Sequence, residues 1–388
     1  MMFVEGKWLR NDRLAWSKNN HKSIFDCEVP HKHEKVNVKT KDGEFEEREL
    51  KHIGSQMAQG VVEEMKSNLK TILRLQKQGL QKHGELKFIS ELKSLTLKQY
   101  GITYSFKSAK RMKIQGVSGL VAVSGAKQFL EDKDIEIASA KLLNTPQGYF
   151  VAVTTYIDTD KLEKPISNGK TIGLDFGCET SITYSDGRKQ NVSVGETERL
   201  KNLQRKLNRQ KKGSNNSYRT KRLIGVEYQK ITNRKNDIAN KIVGELKSYE
   251  RVVIQDEQLA KWHKTGHGKA VQHSCLGVVK AKLKRLDNVV VIDKFIPTTK
   301  ICMKCGRTYD MPKSQRKFNC VCGVVGDRDV HAAQNMVDIA RLILENKVSV
   351  PMGCRELMRV EFLDAYEKKF GVGYETLKHE AASPSGRR

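Results

Sequence analysis

The sequence predicts a multidomain α+β protein: a helical N-terminal region, a small β-barrel, and a C-terminal α/β domain with an inserted zinc ribbon. Three observations carry this expectation. Apolar residues recur at three and four between Leu50 and Leu73, the period shortens to two over residues 94–158, and strand-like and helical runs then surround a cluster of four cysteines.

Residues 1 to about 45 carry few periodic signals and predict an irregular start. From Glu44 to Gly79, the positions Leu50, Ile53, Met57, Val61, Val62, Met65, Leu69, Ile72 and Leu73 predict one long amphipathic helix or two in series. SLTLKQYG, ITYSFK, RMKIQGV, GLVAVSG, EIASAKLLNT and GYFVAVTTYID lie between Gly, Asn and Pro and predict five or six antiparallel strands, which a barrel would close economically. PISNG, residues 165–169, is the candidate linker, so the expected divisions are 1–93, 94–165 and 166–388. KTIGLDFGCETSITYSDGR then reads as two strands joined by a turn. Residues 199–222 contain Arg199, Lys201, Arg205, Lys206, Arg209, Lys211, Lys212, Arg219, Lys221 and Arg222 and no acid. They read as a helix, a break at Gly213 to Ser217, and a second helix running to about Leu246. YERVVIQDEQL, residues 249–259, reads as a buried strand ending in two acids.

Charge narrows the partner. The 388 residues hold 71 Lys+Arg against 45 Asp+Glu, a net charge of +26, which points to a large polyanion. A basic run without acids repels itself unless phosphates neutralise it, so residues 199–222 are the candidate nucleic-acid contact. No run approaches the ~20 apolar residues of a membrane helix, and MMFVEGKWLR lacks the apolar core of a signal peptide. The expectation is a cytoplasmic, nucleoid-associated protein without a membrane partner.

Four of the eight cysteines, Cys302, Cys305, Cys320 and Cys322, have the spacing of a closed tetrahedral zinc site, while Cys27, Cys178, Cys275 and Cys354 are scattered and read as inert. The second pair, Cys-Val-Cys, is one residue short of the usual knuckle and should be tighter. Asp175 after TIGL, the acids after VVIQ, and Asp329 before a helical pattern put carboxylates on three separate elements. Hydrolysis of a phosphodiester by two magnesium ions about 3.5–4 Å apart needs such convergence. Side chains alternate along a strand, so Glu257 shares a face with Gln255 while Asp256 points away.

In this order, LDFG, a basic helical hairpin, VVIQDEQLAKWH, PTTKICMKCG, FNCVCG and DRDVHAAQNM resemble the TnpB family of transposon-encoded RNA-guided DNA endonucleases, related to the compact type V CRISPR effectors. The resemblance covers residues 95 to about 340. It implies a RuvC-type, RNase H-like nuclease domain with Asp175, Glu257 and Asp329 as its magnesium-binding catalytic trio. It also implies a zinc-bearing target-nucleic-acid-binding insert at about 298–326, a wedge β-barrel and a helical recognition lobe. Guide RNA and double-stranded target DNA become the expected partners, with the protein itself a monomer. Three features depart from the family pattern. His331 stands where members usually carry Asn, the second cysteine pair is short, and the N-terminal strand and first recognition helix are not recognisable. A nuclease-dead RNA-guided repressor would lack one of the acids. A guide-independent transposase would not carry a zinc knuckle ahead of its last aspartate.

Overall fold

The computed structural model describes residues 1–31, 33–40, 42–161, 165–262, 268–312, 314–345, 355–357 and 359–371. The chain divides into two units, Met1–Glu163 and Lys164–Arg388.

In the first unit, the start of the chain is a helix, α1 (Met2–Asn19), and not the irregular segment its pattern predicts. Its inward face carries Glu5 and Gly6 beside Leu9 and Leu14, so a charged and a small residue stand where periodicity looks for apolar ones. The buried Glu5 carboxylate accepts the backbone N–H groups of His52 and Ile53, each at 2.8 Å, and is thereby satisfied. A hairpin of β1 (Lys35–Lys39) and β2 (Phe45–Glu49) follows, so Phe45–Glu49 is strand and not the beginning of the expected long helix. That helix is α2 (Ser55–Lys77), which buries Met57, Val61, Val62 and Met65 as its period requires.

Six strands follow: β3 (Ser94–Leu97), β4 (Tyr104–Ser108), β5 (Arg111–Ile114), β6 (Val121–Ala122), β7 (Ile135–Thr145) and β8 (Gly148–Ile157), with a short α3 (Lys127–Leu130) before β7. They form two three-stranded sheets, β3-β7-β8 and β4-β5-β6, and among the described residues no ladder joins them into a closed barrel. One core instead unites them with the helices: Leu9, Met57, Leu95, Tyr104, Met112 and Leu142 belong to it together. The expected regions 1–93 and 94–165 thus share a single apolar interior.

The second unit is built on a six-stranded sheet. Its strands are β9 (Thr171–Phe176), β10 (Ile182–Tyr184), β11 (Lys189–Gln190), β12 (Arg251–Gln255), β13 (Val289–Ile292) and β16 (Arg355–Leu357), in the order β11-β10-β9-β12-β13-β16. The first three are antiparallel and the run from β9 to β16 is parallel. Parallel strands are covered on both faces, which is why VVI and VVVI read as continuous apolar runs. Between β11 and β12 come α4 (Glu198–Asn208) and α5 (Asn215–Leu246). Between β12 and β13 lie α6 (Leu259–Trp262), α7 (Gly268–His273) and α8 (Leu276–Leu283). Val252 and Ile254 pack beneath α5 and α8. Val253, between them, faces α9 (Arg328–Glu345) and α10 (Arg359–Phe370) on the opposite side.

Ahead of α9 the chain makes a small separate core around Cys302, Met311, Phe318 and Cys320, with the hairpin β14 (Lys317–Asn319) and β15 (Val325–Asp327). No helix among the described residues is long and apolar enough to cross a membrane. Cys354 lies outside the described residues.

Candidate active site and metal centre

The position of the first candidate acid follows from strand alternation. Ile172, Leu174 and Phe176 of β9 enter the core under α5 and α8, which turns Gly173 and Asp175 toward the opposite face. Helix α9 lies directly on that face. A Cβ at Gly173 would come within 2.1 Å of the Ala333 carbonyl oxygen, so only glycine permits this approach. Ala332 and Ala333 are small for the same reason. The close crossing brings the first turn of α9, with Asp329, toward the end of β9 that carries Asp175.

Glu257 arrives by a turn. Strand β12 ends at Gln255, and the Glu257 N–H donates to the Gln255 carbonyl at 2.9 Å, so the expected strand alternation stops before it reaches Glu257. Asp175, Glu257 and Asp329 nevertheless line one cleft, together with Thr299, Arg316 and Arg328. Burial, then the charges of Glu257 and Asp329, push the Asp175 carboxyl well above the ordinary range. Burial, partly offset by Lys280, pushes Glu257 up to about 7.

These carboxylates are costly without a cation. Glu257 Oε2 is buried with no hydrogen-bond partner, and its neighbours in the cleft include a second, half-buried acid, Asp175. An oxygen-only donor set of this kind suits a hard divalent ion such as magnesium. The acids are more widely spread than the thiols. Among the described residues, the four cysteines are the one group of His, Cys, Asp and Glu whose ligand atoms all lie within 4.8 Å of one another. A site for two ions tolerates that wider spacing.

Asp256 turns to α8, where Lys284 Nζ lies at 2.8 Å and Lys280 Nζ at 3.2 Å. Burial raises its carboxyl, but hydrogen bonds from Lys284 and Lys280 outweigh this and hold it below the ordinary value. Lys280 also donates to the Glu257 carbonyl at 2.5 Å, pinning the turn. The sequence reading did not single out Lys280. Its signal is the pair Lys280 and Lys284, four apart on one helix face opposite two acids. Gln255, also missed, is buried and donates to the Asp293 and Ile296 carbonyls at 3.1 and 2.8 Å.

The other aspartate of DRD serves the backbone. Asp327 Oδ1 accepts the N–H groups of Asp329 and Val330 at 3.0 and 3.2 Å, capping α9, while Lys189 pairs with Oδ2 at 2.8 Å. His331 is buried: its Nε2 meets the Ile301 carbonyl at 2.9 Å, and its ring stacks on Phe318 with centroids 3.6 Å apart. Burial, only partly offset by that hydrogen bond, keeps the imidazole below its usual pKa. It therefore joins α9 to the cysteine-bearing segment.

That segment converges as its spacing predicts. Cys302 and Cys322 Sγ are 3.5 Å apart, and Cys305 and Cys320 Sγ 3.4 Å. Bonds of ~2.3 Å to one tetrahedral zinc give sulfur–sulfur edges of ~3.8 Å, so four thiolates here can hold that ion with a small expansion. The first knuckle closes with Gly306 N–H on the Cys302 carbonyl at 2.8 Å, and the shorter one with Gly323 N–H on the Cys320 carbonyl at 2.9 Å. One spans four residues and the other three, which accommodates the missing residue. Both glycines have positive φ, +73° and +88°.

The basic stretch forms α4 and the start of α5. Glu227, buried on α5, draws Arg199 to 3.5 Å and Lys230 to 2.9 Å, and Glu198 holds Lys201 at 2.7 Å. Arg205, Lys206, Arg209, Lys211, Lys212, Arg219, Lys221 and Arg222 are exposed.

Parts of this chain are similar to known proteins. A family model described as "Cas12f1-like, TNB domain" matches residues 277–336, and one described as "Probable transposase" matches residues 151–261. A protein of Streptomyces pristinaespiralis, named as a candidate RNA-guided DNA endonuclease, is 30% identical over 177 residues, 43% of this chain and 44% of its own length. InsQ of Escherichia coli K12, similarly named, is 26% identical over 223 residues, 50% of this chain and 55% of its own. The chain thus spans about half the length of the curated relatives it matches. Both family matches fall in the order the motifs predict, and with the named relatives they show this part of the chain to be similar to the TnpB family.

Proposed function

We propose that this protein is a magnesium-dependent endonuclease that cuts DNA selected by pairing with a bound guide RNA. The observation that carries the reading is the meeting of Asp175, Glu257 and Asp329, from three elements distant in sequence, in one cleft. The mixed sheet, strand order and crossing helix agree with a RuvC-type, RNase H-like domain, and the cysteine-bearing insert stands directly ahead of α9. When bound, two magnesium ions would activate water and stabilise the leaving oxygen. The chain's own residues prepare for this. Gly173 lets α9 set Asp329 near Asp175, Lys280 holds the Glu257 turn, and Arg328 at the cleft can meet a phosphate of the strand. The exposed basic face of α4 and α5 would hold the guide and its duplex by their backbones, leaving sequence selection to base pairing.

The test begins with sequencing the RNA that co-purifies with the protein, followed by cleavage of a DNA duplex that matches it. Cutting should require magnesium and the matching guide. Asp175→Ala, Glu257→Ala and Asp329→Ala should each abolish cutting while guided binding persists. Protein free of nucleic acid at low salt, with activity indifferent to added RNA, refutes the guided reading; cleavage by Asp175→Ala refutes the site.

A further inference from the structure

The connection from β13 toward the first cysteine knuckle, residues 293–298, is braced at almost every step. Gln255 donates to its Asp293 and Ile296 carbonyls, and Thr298 Oγ1 donates to Gln255 Oε1 at 3.2 Å. The Phe295 N–H donates to Asp293 Oδ1 at 2.7 Å, and Asn335 Nδ2 donates to the Thr298 carbonyl at 2.7 Å. This rigid loop holds a large apolar ring outward. Phe295 is 59% exposed, and Lys294 Nζ sits 4.8 Å from its ring centroid. Lys294, Phe295, Lys300 and Arg328 line the cleft that also contains Asp175 and Glu257.

An exposed phenylalanine in a well-fixed loop has given up burial that a flexible loop would regain by folding the ring inward. Beside three cations and two carboxylates, the fitting occupant is flat and aromatic, with a negative charge next to it. A nucleotide meets that description. We propose that Phe295, with Lys294 beside it, is a stacking subsite for one unpaired nucleotide adjacent to the scissile phosphate. Inside a duplex both faces of a base are covered by its neighbours, so the subsite favours a strand that has already been opened. It takes any base, because every base offers a π face. Lys294, covering one side of the ring, is placed to approach that nucleotide's phosphate.

This inference rests on reading the cleft as the nuclease site, and the experiment separates the two. Full-length Asp175→Ala protein with its co-purified RNA is irradiated with a matching single-stranded oligodeoxynucleotide carrying 5-iododeoxyuridine at successive positions, and adducts are mapped by mass spectrometry. In parallel, cleavage of the unmodified strand is measured for the wild-type, Phe295→Ala and Phe295→Trp proteins. Expected are an adduct on Phe295 from one position only, a KM raised roughly tenfold in Phe295→Ala, little change in kcat, and recovery in Phe295→Trp. An abasic nucleotide at the adduct-forming position should weaken the wild type by the same factor and leave Phe295→Ala unaffected. Cleavage by wild type with no Phe295 adduct and unchanged KM in Phe295→Ala overturns the subsite and leaves the nuclease reading standing. A Phe295 adduct without any wild-type cleavage does the reverse. Losses from the abasic site and Phe295→Ala that simply add also overturn the subsite.

Discussion

Replacing Glu257 by glutamine should make the metal-free protein more stable while destroying its proposed activity. In the folded chain Glu257 is raised from 4.5 to about 7, because burial penalises its charged form. A raised carboxyl favours folding while protonated, so this contribution is fully present below pH ~4.5 and is lost as pH climbs through ~7. Glutamine imitates the protonated acid at every pH. At pH 8 the difference should therefore approach about 3 kcal/mol in favour of Glu257→Gln, and at pH 5 it should shrink to under about 1 kcal/mol. For a unit the size of Lys164–Arg388, about 3 kcal/mol corresponds to roughly 6–12 °C in melting midpoint. The assay is thermal unfolding in magnesium-free buffer, with zinc retained, at both pH values. Adding magnesium at pH 8 should raise the wild-type midpoint and leave that of Glu257→Gln nearly unchanged, since a cation relieves a charge the variant lacks. Equal midpoints at pH 8, or a less stable variant there, would show that Glu257 is not held in a strained, ion-seeking state.

Asp256→Ala should retain measurable cleavage and lose about 1 kcal/mol or less, since its partners Lys280 and Lys284 form a partly exposed ion pair; loss of cutting equal to that of Glu257→Ala would reverse the assignment. Gly173→Ala should cost about 1–3 kcal/mol by overpacking and lower cleavage much further, because the new Cβ must push α9, with Asp329, off the strand. Denaturation and cleavage rates measured on the same sample check whether the two effects part company as expected. Cys302→Ser should lower the zinc content from one per chain and loosen the Ile301–His331 link to α9, read as faster hydrogen exchange in residues 328–336. Active protein without zinc would remove the metal from the site.

The candidate site was legible in the sequence because its residues are marked by local features. Four cysteines at short spacings, acids placed at the ends of apolar runs and a basic stretch without acids need no distant partner to be seen. The apolar periods of α2 and β12 were legible for the same reason, since each element buries a face of its own. Elements whose burial depends on remote groups were hidden. Helix α1 tolerates an inward Glu5 only because the N–H groups of His52 and Ile53 come to meet it. The six strands of the first unit could close in several ways from their pattern alone, and the structure has them as two sheets that share one core with the helices. In the cleft, strand alternation pointed to Glu257 over Asp256, yet what brings Glu257 there is a turn after Gln255 held by Lys280. His331 could not be assigned from its neighbours, because the ring that stacks on it, Phe318, belongs to another core. Side-chain chemistry and local period are written in the order of residues; which acid faces the cleft and which histidine is buried depend on contacts that exist only once the chain has folded.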